Sequence, residues 1–188
     1  KTLAIDSAPA VGSWTGRLLI CIGQYYLEIG KLNRAVIYLA KAFRWHQTNV
    51  GPHGVHDQAC YLAICAYSLC EVYVESGSMN RALSLFRQAT PWLKGGDRDD
   101  LRNYLQGLLA KGMKRYEQAQ EYFALAFEQA QALGDQEWSF RILEAKADML
   151  IAVGDLDGAR HLLQPAIIEL AHGGSVTILD RLQRKVAS

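Results

Sequence analysis

The sequence predicts an all-α protein: four stacked helical hairpins closed by a C-terminal capping helix. Three observations predict it. Apolar residues recur at three- and four-residue steps, as in Leu18, Leu19, Ile22, Tyr25, Tyr26 and Ile29, which is the helical period. Short glycine-bearing turns, at Gly30, Gly77 and Gly154, interrupt that period. One pattern of small and large residues, centred on Ala35, Ala82, Ala119 and Ala159, is written four times.

Twelve residues before each central alanine stand Gly23, Cys70, Gly107 and Ala147, all small. Nine before stand Tyr26, Tyr73, Ala110 and Leu150, and five before stand Gly30, Gly77, Lys114 and Gly154. Four after come Leu39, Phe86, Phe123 and Leu163; seven after come Ala42, Ala89, Ala126 and Ala166. Lys114 breaks the glycine column, so the third hairpin is expected to turn near Gly112. A hairpin of two helices has apolar surface on more than one side, and stacking similar units buries the remainder. The small column marks where two helices cross closely. The large residues, Tyr26, Tyr73, Phe86 and Phe123, are expected to fill the space between neighbouring hairpins.

Taken in order, residues 1–12 carry Pro9 and Gly12 without a clear period and form a lead-in, with Ser13 as the expected first N-cap. The hairpins span about 13–46, 55–92, 99–133 and 136–170 within a repeat region of 13–173. A connector with Gly51, Pro52 and Gly54 follows the first, Gly95-Gly96-Asp97 follows the second, and Gly134-Asp135 opens the fourth. Pro91 lies near the close of its helix, where it would disturb or end it. Gly173-Gly174 precedes the capping helix, 174–188, in which Val176, Leu179, Leu182 and Val186 form the apolar stripe. Its other side, with Asp180, Arg181, Gln183, Arg184 and Lys185, is expected to meet water.

The order small, aromatic, turn, Ala, aromatic, Ala in Gly23-Tyr26-Gly30-Ala35-Leu39-Ala42 and Cys70-Tyr73-Gly77-Ala82-Phe86-Ala89 resembles the tetratricopeptide repeat. It continues as Gly107-Ala110-Ala119-Phe123-Ala126 and Ala147-Leu150-Gly154-Ala159-Leu163-Ala166. The closing proline common in that family is missing from its expected places, and extra residues separate the repeats. The resemblance implies a right-handed α-α superhelix (solenoid) whose concave side is lined by the first helix of each hairpin. It implies a scaffold that binds a protein or peptide in that groove, without chemistry. The groove residues it implies are Gln24 and Glu28; Tyr67, Glu71 and Glu75; Tyr104, Leu108 and Lys111; and Arg141, Glu144 and Asp148, with Arg17 and Ile64 beside them. The lysine and asparagine clamp of co-chaperone members is absent from the matching sites.

Glu71 and Glu75 are four apart on one helix, as are Glu144 and Asp148, so each pair presents two carboxylates on one face. Tyr67 and Tyr104 are expected to add flat amphipathic surfaces beside them. The partner expected is therefore a basic or amphipathic segment. The alternative is a ligand- or peptide-sensing effector region of a larger, bacterial-type transcriptional or signalling regulator, which a large apolar pocket at Tyr67, Tyr104 and Leu108 would favour. Self-association through the end beyond Gly174 is a third course, giving a homo-oligomer.

Other classes find little support. Twenty basic against nineteen acidic residues leave the chain near neutrality, so no global field calls for nucleic acid or an anionic membrane. No run of eighteen apolar residues is present. Cys60, Cys65 and Cys70 are five apart and share no helical face, and no Cys-x-x-Cys pair exists; all four cysteines read as small buried hydrophobes of a reducing compartment. His53, His56 and Asp57, with His46 and Cys60 nearby, fall short of a zinc site, and no cofactor motif or enzymatic signature appears. His161 and His172 read as surface residues, and the Asp99-Asp100 pair as a helix start. Lys1-Thr2-Leu3 lacks an initiator Met and a signal-peptide pattern, so the chain is expected to be part of a larger cytoplasmic protein.

Overall fold

The structure is a computed structural model and describes residues 10–48, 55–93, 99–172 and 176–187. Among them the all-α expectation holds. The helices are α1 (Ala10–Glu28), α2 (Leu32–Thr48), α3 (Val55–Glu75), α4 (Met79–Leu93), α5 (Asp99–Gly112), α6 (Tyr116–Ala132), α7 (Gln136–Ala152), α8 (Leu156–Ala171) and α9 (Val176–Ala187). They pair as α1–α2, α3–α4, α5–α6 and α7–α8. Two compact units result, one from the first two hairpins (Lys1–Gly95) and one from the last two with α9 (Gly96–Ser188). The lead-in before Ala10, the glycine–proline connector with Gly51, Pro52, His53 and Gly54, and the breaks at Gly95-Gly96-Asp97 and Gly173-Gly174 lie outside the described residues.

Helix α1 starts at Ala10, three residues before the expected cap at Ser13. Both Pro91 and Pro165 sit inside helices, at exposed positions where water can serve the carbonyl left without its amide partner.

The turns follow one design. Gly30, Gly77 and Gly154 have φ of 70°, 69° and 86°, the left-handed conformation that glycine adopts without a Cβ clash. In each, two amides return to the helix: Gly30 N donates to Leu27 O at 3.0 Å and Lys31 N to Tyr26 O at 2.8 Å, and Ser78 N reaches Tyr73 O at 2.7 Å. These are Schellman closures, and the nine-before column (Tyr26, Tyr73, Ala110, Leu150) supplies the carbonyls. The third copy keeps the geometry without the glycine. Lys114 has φ of 60°, and Arg115 N donates to Ala110 O at 2.9 Å. The turn thus falls at Lys114; Gly112 is still helical. Asp135 and Asp155 cap α7 and α8 by accepting from Trp138 N and Gly158 N.

The alanine columns are core. Ala35, Ala82, Ala119 and Ala159 are buried, as are Ala42, Ala89, Ala126 and Ala166. The small column works inside each hairpin: a Cβ on Gly23 would stand 2.5 Å from Leu39 Cγ, and one on Gly107 would stand 2.6 Å from the Phe123 ring. Phe123 therefore fills its own hairpin rather than the space between hairpins, since a glycine opposite leaves room for a ring. Tyr26 likewise stacks on Tyr38 of its own hairpin, with ring centroids 5.5 Å apart.

Candidate functional site

The first helices carry the residues expected to bind a partner, and each unit shows its own arrangement. In the first unit Gln24 on α1 donates to Tyr67 Oη at 3.3 Å and Ser68 Oγ at 3.5 Å on α3. This polar seam joins neighbouring first helices. Tyr67 is buried, and its hydroxyl accepts from Gln24. Glu71 is half-buried, while Glu75 and Glu28 are exposed. Cys65 and Cys70 on the same helix are buried free thiols; burial pushes Cys65 up to about 12 and raises Cys70 as well, with the Glu71 charge adding to the latter. A thiol kept protonated by burial is a poor nucleophile. Cys21, by contrast, is exposed, so the burial expected of all four cysteines fails for it.

In the second unit Tyr104 and Leu108 are buried. The Tyr104 ring lies 5.6 Å from Phe123 and 4.9 Å, edge-on, from Trp138, so it joins α5 to α6 and α7 and offers no flat exposed surface. Lys111 and Arg141 are half-buried. Asn103 donates to Gln129 Oε1 at 2.9 Å. Asp99 and Asp100 lie in the first turn of α5, as expected of a helix start; Asp99 pairs with Arg102 at 3.1 Å, and Asp100 is buried.

The most developed polar site lies between α7 and α9. Arg181 Nε stands 2.7 Å from Glu144 Oε2, Lys185 Nζ stands 3.6 Å from Glu144 Oε1, and Lys185 also bridges to Asp148. The apolar edge of α9 puts Ile178 and Leu182 into a core with Phe140, Ala147, Leu163 and Leu170. The side of α9 expected to meet water thus divides: Asp180, Gln183 and Arg184 do, but Arg181 and Lys185 are half-buried on the acidic pair. Sequence spacing held the signal, because Arg181 and Lys185 repeat the four-residue step of Glu144 and Asp148. Burial raises the Glu144 carboxyl above its ordinary value; Arg181, Lys185 and Arg141 oppose the rise, and Asp148 adds to it.

A cleft of about 670 Å³ opens in the second unit between the end of α6, the start of α7 and the middle of α8. Phe127, Phe140, Leu143 and Leu162 give it apolar walls, and Gln136 donates to Glu169 at its rim. Its lining does not include Tyr67, Tyr104 or Leu108, the residues at which an apolar pocket would favour a ligand-sensing role. His56 and Asp57 lie on α3, and His53 lies outside the described residues. No group of three or more metal-binding side chains occurs among the described residues, nor is any helix there long and apolar enough to cross a membrane. His161 and His172 are exposed.

Residues 17–49 and 102–132 match the family model of the tetratricopeptide repeat. They coincide with the first and third hairpins. The fold is similar to that of the apo form of RapI in its crystal structure, with a TM-score of 0.58, 13% identity, and coverage of 98% of this chain and 71% of that one. No curated protein matches the chain in sequence.

Proposed function

We propose that this chain is a non-catalytic protein-interaction scaffold whose first-helix faces take up basic, amphipathic helical segments of a partner. The observation that carries the reading is α9 itself. A helix with Arg181 and Lys185 four residues apart, and Ile178 and Leu182 beside them, is seated on the Glu144–Asp148 pair of α7. The chain so contains a worked instance of the recognition chemistry: apolar anchors into a helix groove, with charge-assisted bonds at the rim. Glu71 and Glu75 repeat the four-residue acidic step on α3, flanked by Gln24 and Glu28 of α1. A segment patterned like α9 matches that face. The tetratricopeptide repeats support a binding role, and the buried free thiols fit a reducing, cytoplasmic compartment.

The test uses a synthetic peptide of residues 176–187 as a defined basic amphipathic probe, titrated against the full chain and its Glu71→Lys, Glu75→Lys variant. Binding to the wild type that the equally helical variant loses supports the reading. Equal binding to both, or none to the wild type, removes it. The second reading, a ligand-sensing region of a larger regulator, draws on the cleft between α6 and α8, whose size suits a small molecule. Ligand-induced thermal stabilisation lost on Leu162→Arg would favour it.

A further inference from the structure

Helix α1 carries an apolar stripe that the rest of the repeat teaches how to read. Trp14, Leu18, Tyr25 and Ile29 are 62%, 60%, 57% and 43% exposed, and Cys21, between them, is exposed too. At 100° per residue the five fall within an arc of roughly 80°. The opposite side of α1 is the packed one: Gly16 faces His46 and Gly23 faces Leu39. In the repeat register the counterparts of Ile29, Ser76 and Val153, fall just past the ends of α3 and α7 and are exposed. Those of the other stripe positions include Cys65, Ser68 and Val72 on α3 and are Trp138, Ile142, Ala145 and Met149 on α7. All seven of the latter are buried, where α3 packs on α2 and α1, and α7 on α6 and α5. On α1 the corresponding face is exposed among the described residues.

We infer that this chain self-associates through the α1 stripe, two copies pairing their first helices antiparallel about a two-fold axis near Cys21. The pattern is self-complementary. With the axis there, Trp14 of one copy meets Ile29 of the other, and Leu18 meets Tyr25. The same arrangement brings Arg17 at one end of the helix towards Glu28 at the other, so the flanks match in charge as the centre does in apolarity. The stripe amounts to roughly 400 Å² per copy, a size at which exposed apolar surface marks an interaction site. The other end of the chain is less suited: α9 covers the α7–α8 core and turns Asp180, Gln183 and Arg184 outward.

The face differs from the acidic one, so its test is independent. Sedimentation equilibrium of the full chain should give a dimer at concentrations on the order of 100 µM. A Leu18→Glu, Tyr25→Glu variant, changing two exposed side chains, should weaken the dimer at least about tenfold with unchanged helicity. A short bis-maleimide should join two copies through Cys21, and Cys21→Ser should abolish that product. A wild-type monomer at the same concentration overturns the proposal, whether the stripe is then covered by residues 1–9 or by another protein. So does a dimer that survives the double substitution, or a cross-link that survives Cys21→Ser.

Discussion

Arg181 on α9 holds the carboxylate of Glu144 on α7 at 2.7 Å, and that contact joins the last helix to the repeat it closes. Two forces act on Glu144 in opposite directions: burial disfavours its charge, while Arg181, Lys185 and Arg141 favour it. Burial wins, and the carboxyl titrates above its ordinary 4.5. A raised value in the fold means stability that is present below the unfolded pKa and lost as pH rises through the folded one. Urea unfolding of wild type and Glu144→Gln should therefore show the wild type relatively more stable near pH 4 than near pH 7. A pH-independent difference would remove this account.

Replacing the cations tests the contact from its other side. In Arg181→Ala, Lys185→Ala the Glu144 charge stays buried with less compensation, and the fold should lose about 2 kcal/mol at neutral pH. Arg184→Ala, which removes only an exposed intrahelical pair with Asp180, should cost less than about 0.5 kcal/mol. Thermal unfolding of both variants separates the two cases.

Lys114 holds a conformation that three sister positions give to glycine. Lys114→Gly removes the Cβ strain and adds unfolded-state entropy, and the first effect is the larger. A gain of about 0.5–1 kcal/mol is expected, read as a rise in melting temperature.

Gly107 and Phe123 form a matched pair. Gly107→Ala places a Cβ 2.6 Å from the ring and should cost about 1–3 kcal/mol. Adding Phe123→Leu recreates the Ala147–Leu163 combination of the fourth hairpin, and should recover part of that loss in a double-mutant cycle. Ala82→Phe, at a fully buried crossing, should cost a similar amount with no such partner to relieve it.

His46 gives the first unit an acid sensitivity. Its ring is buried, stacked on Tyr61 at 4.9 Å, and burial lowers its pKa from 6.5 against a raising hydrogen bond to the Gly16 backbone. The neutral ring thus stabilises the fold above 6.5, and the benefit is lost as pH falls through the lower folded value. His46→Phe should flatten the melting temperature between about pH 7 and pH 5, where the wild type declines.

Much of this was legible in the residues. Steric rules are local: an alanine or glycine recurring at one place in four repeats names a close crossing, and all the central alanines are buried. The left-handed turns at Gly30, Gly77 and Gly154 follow from the same rule. What the sequence could not determine was which surface each remaining side chain would meet. Lys114 reads as a break in the glycine column, with the turn expected near Gly112, until the Schellman closure around it is in place. Tyr104 reads as a groove aromatic until Trp138, on the next hairpin, covers it. Arg181 and Lys185 read as a solvated face until α9 settles on an acidic pair some forty residues earlier in the chain. Periodicity is a property of neighbours along the chain, whereas burial and charge pairing belong to neighbours in space, and only the tertiary packing of one helix on another chooses those.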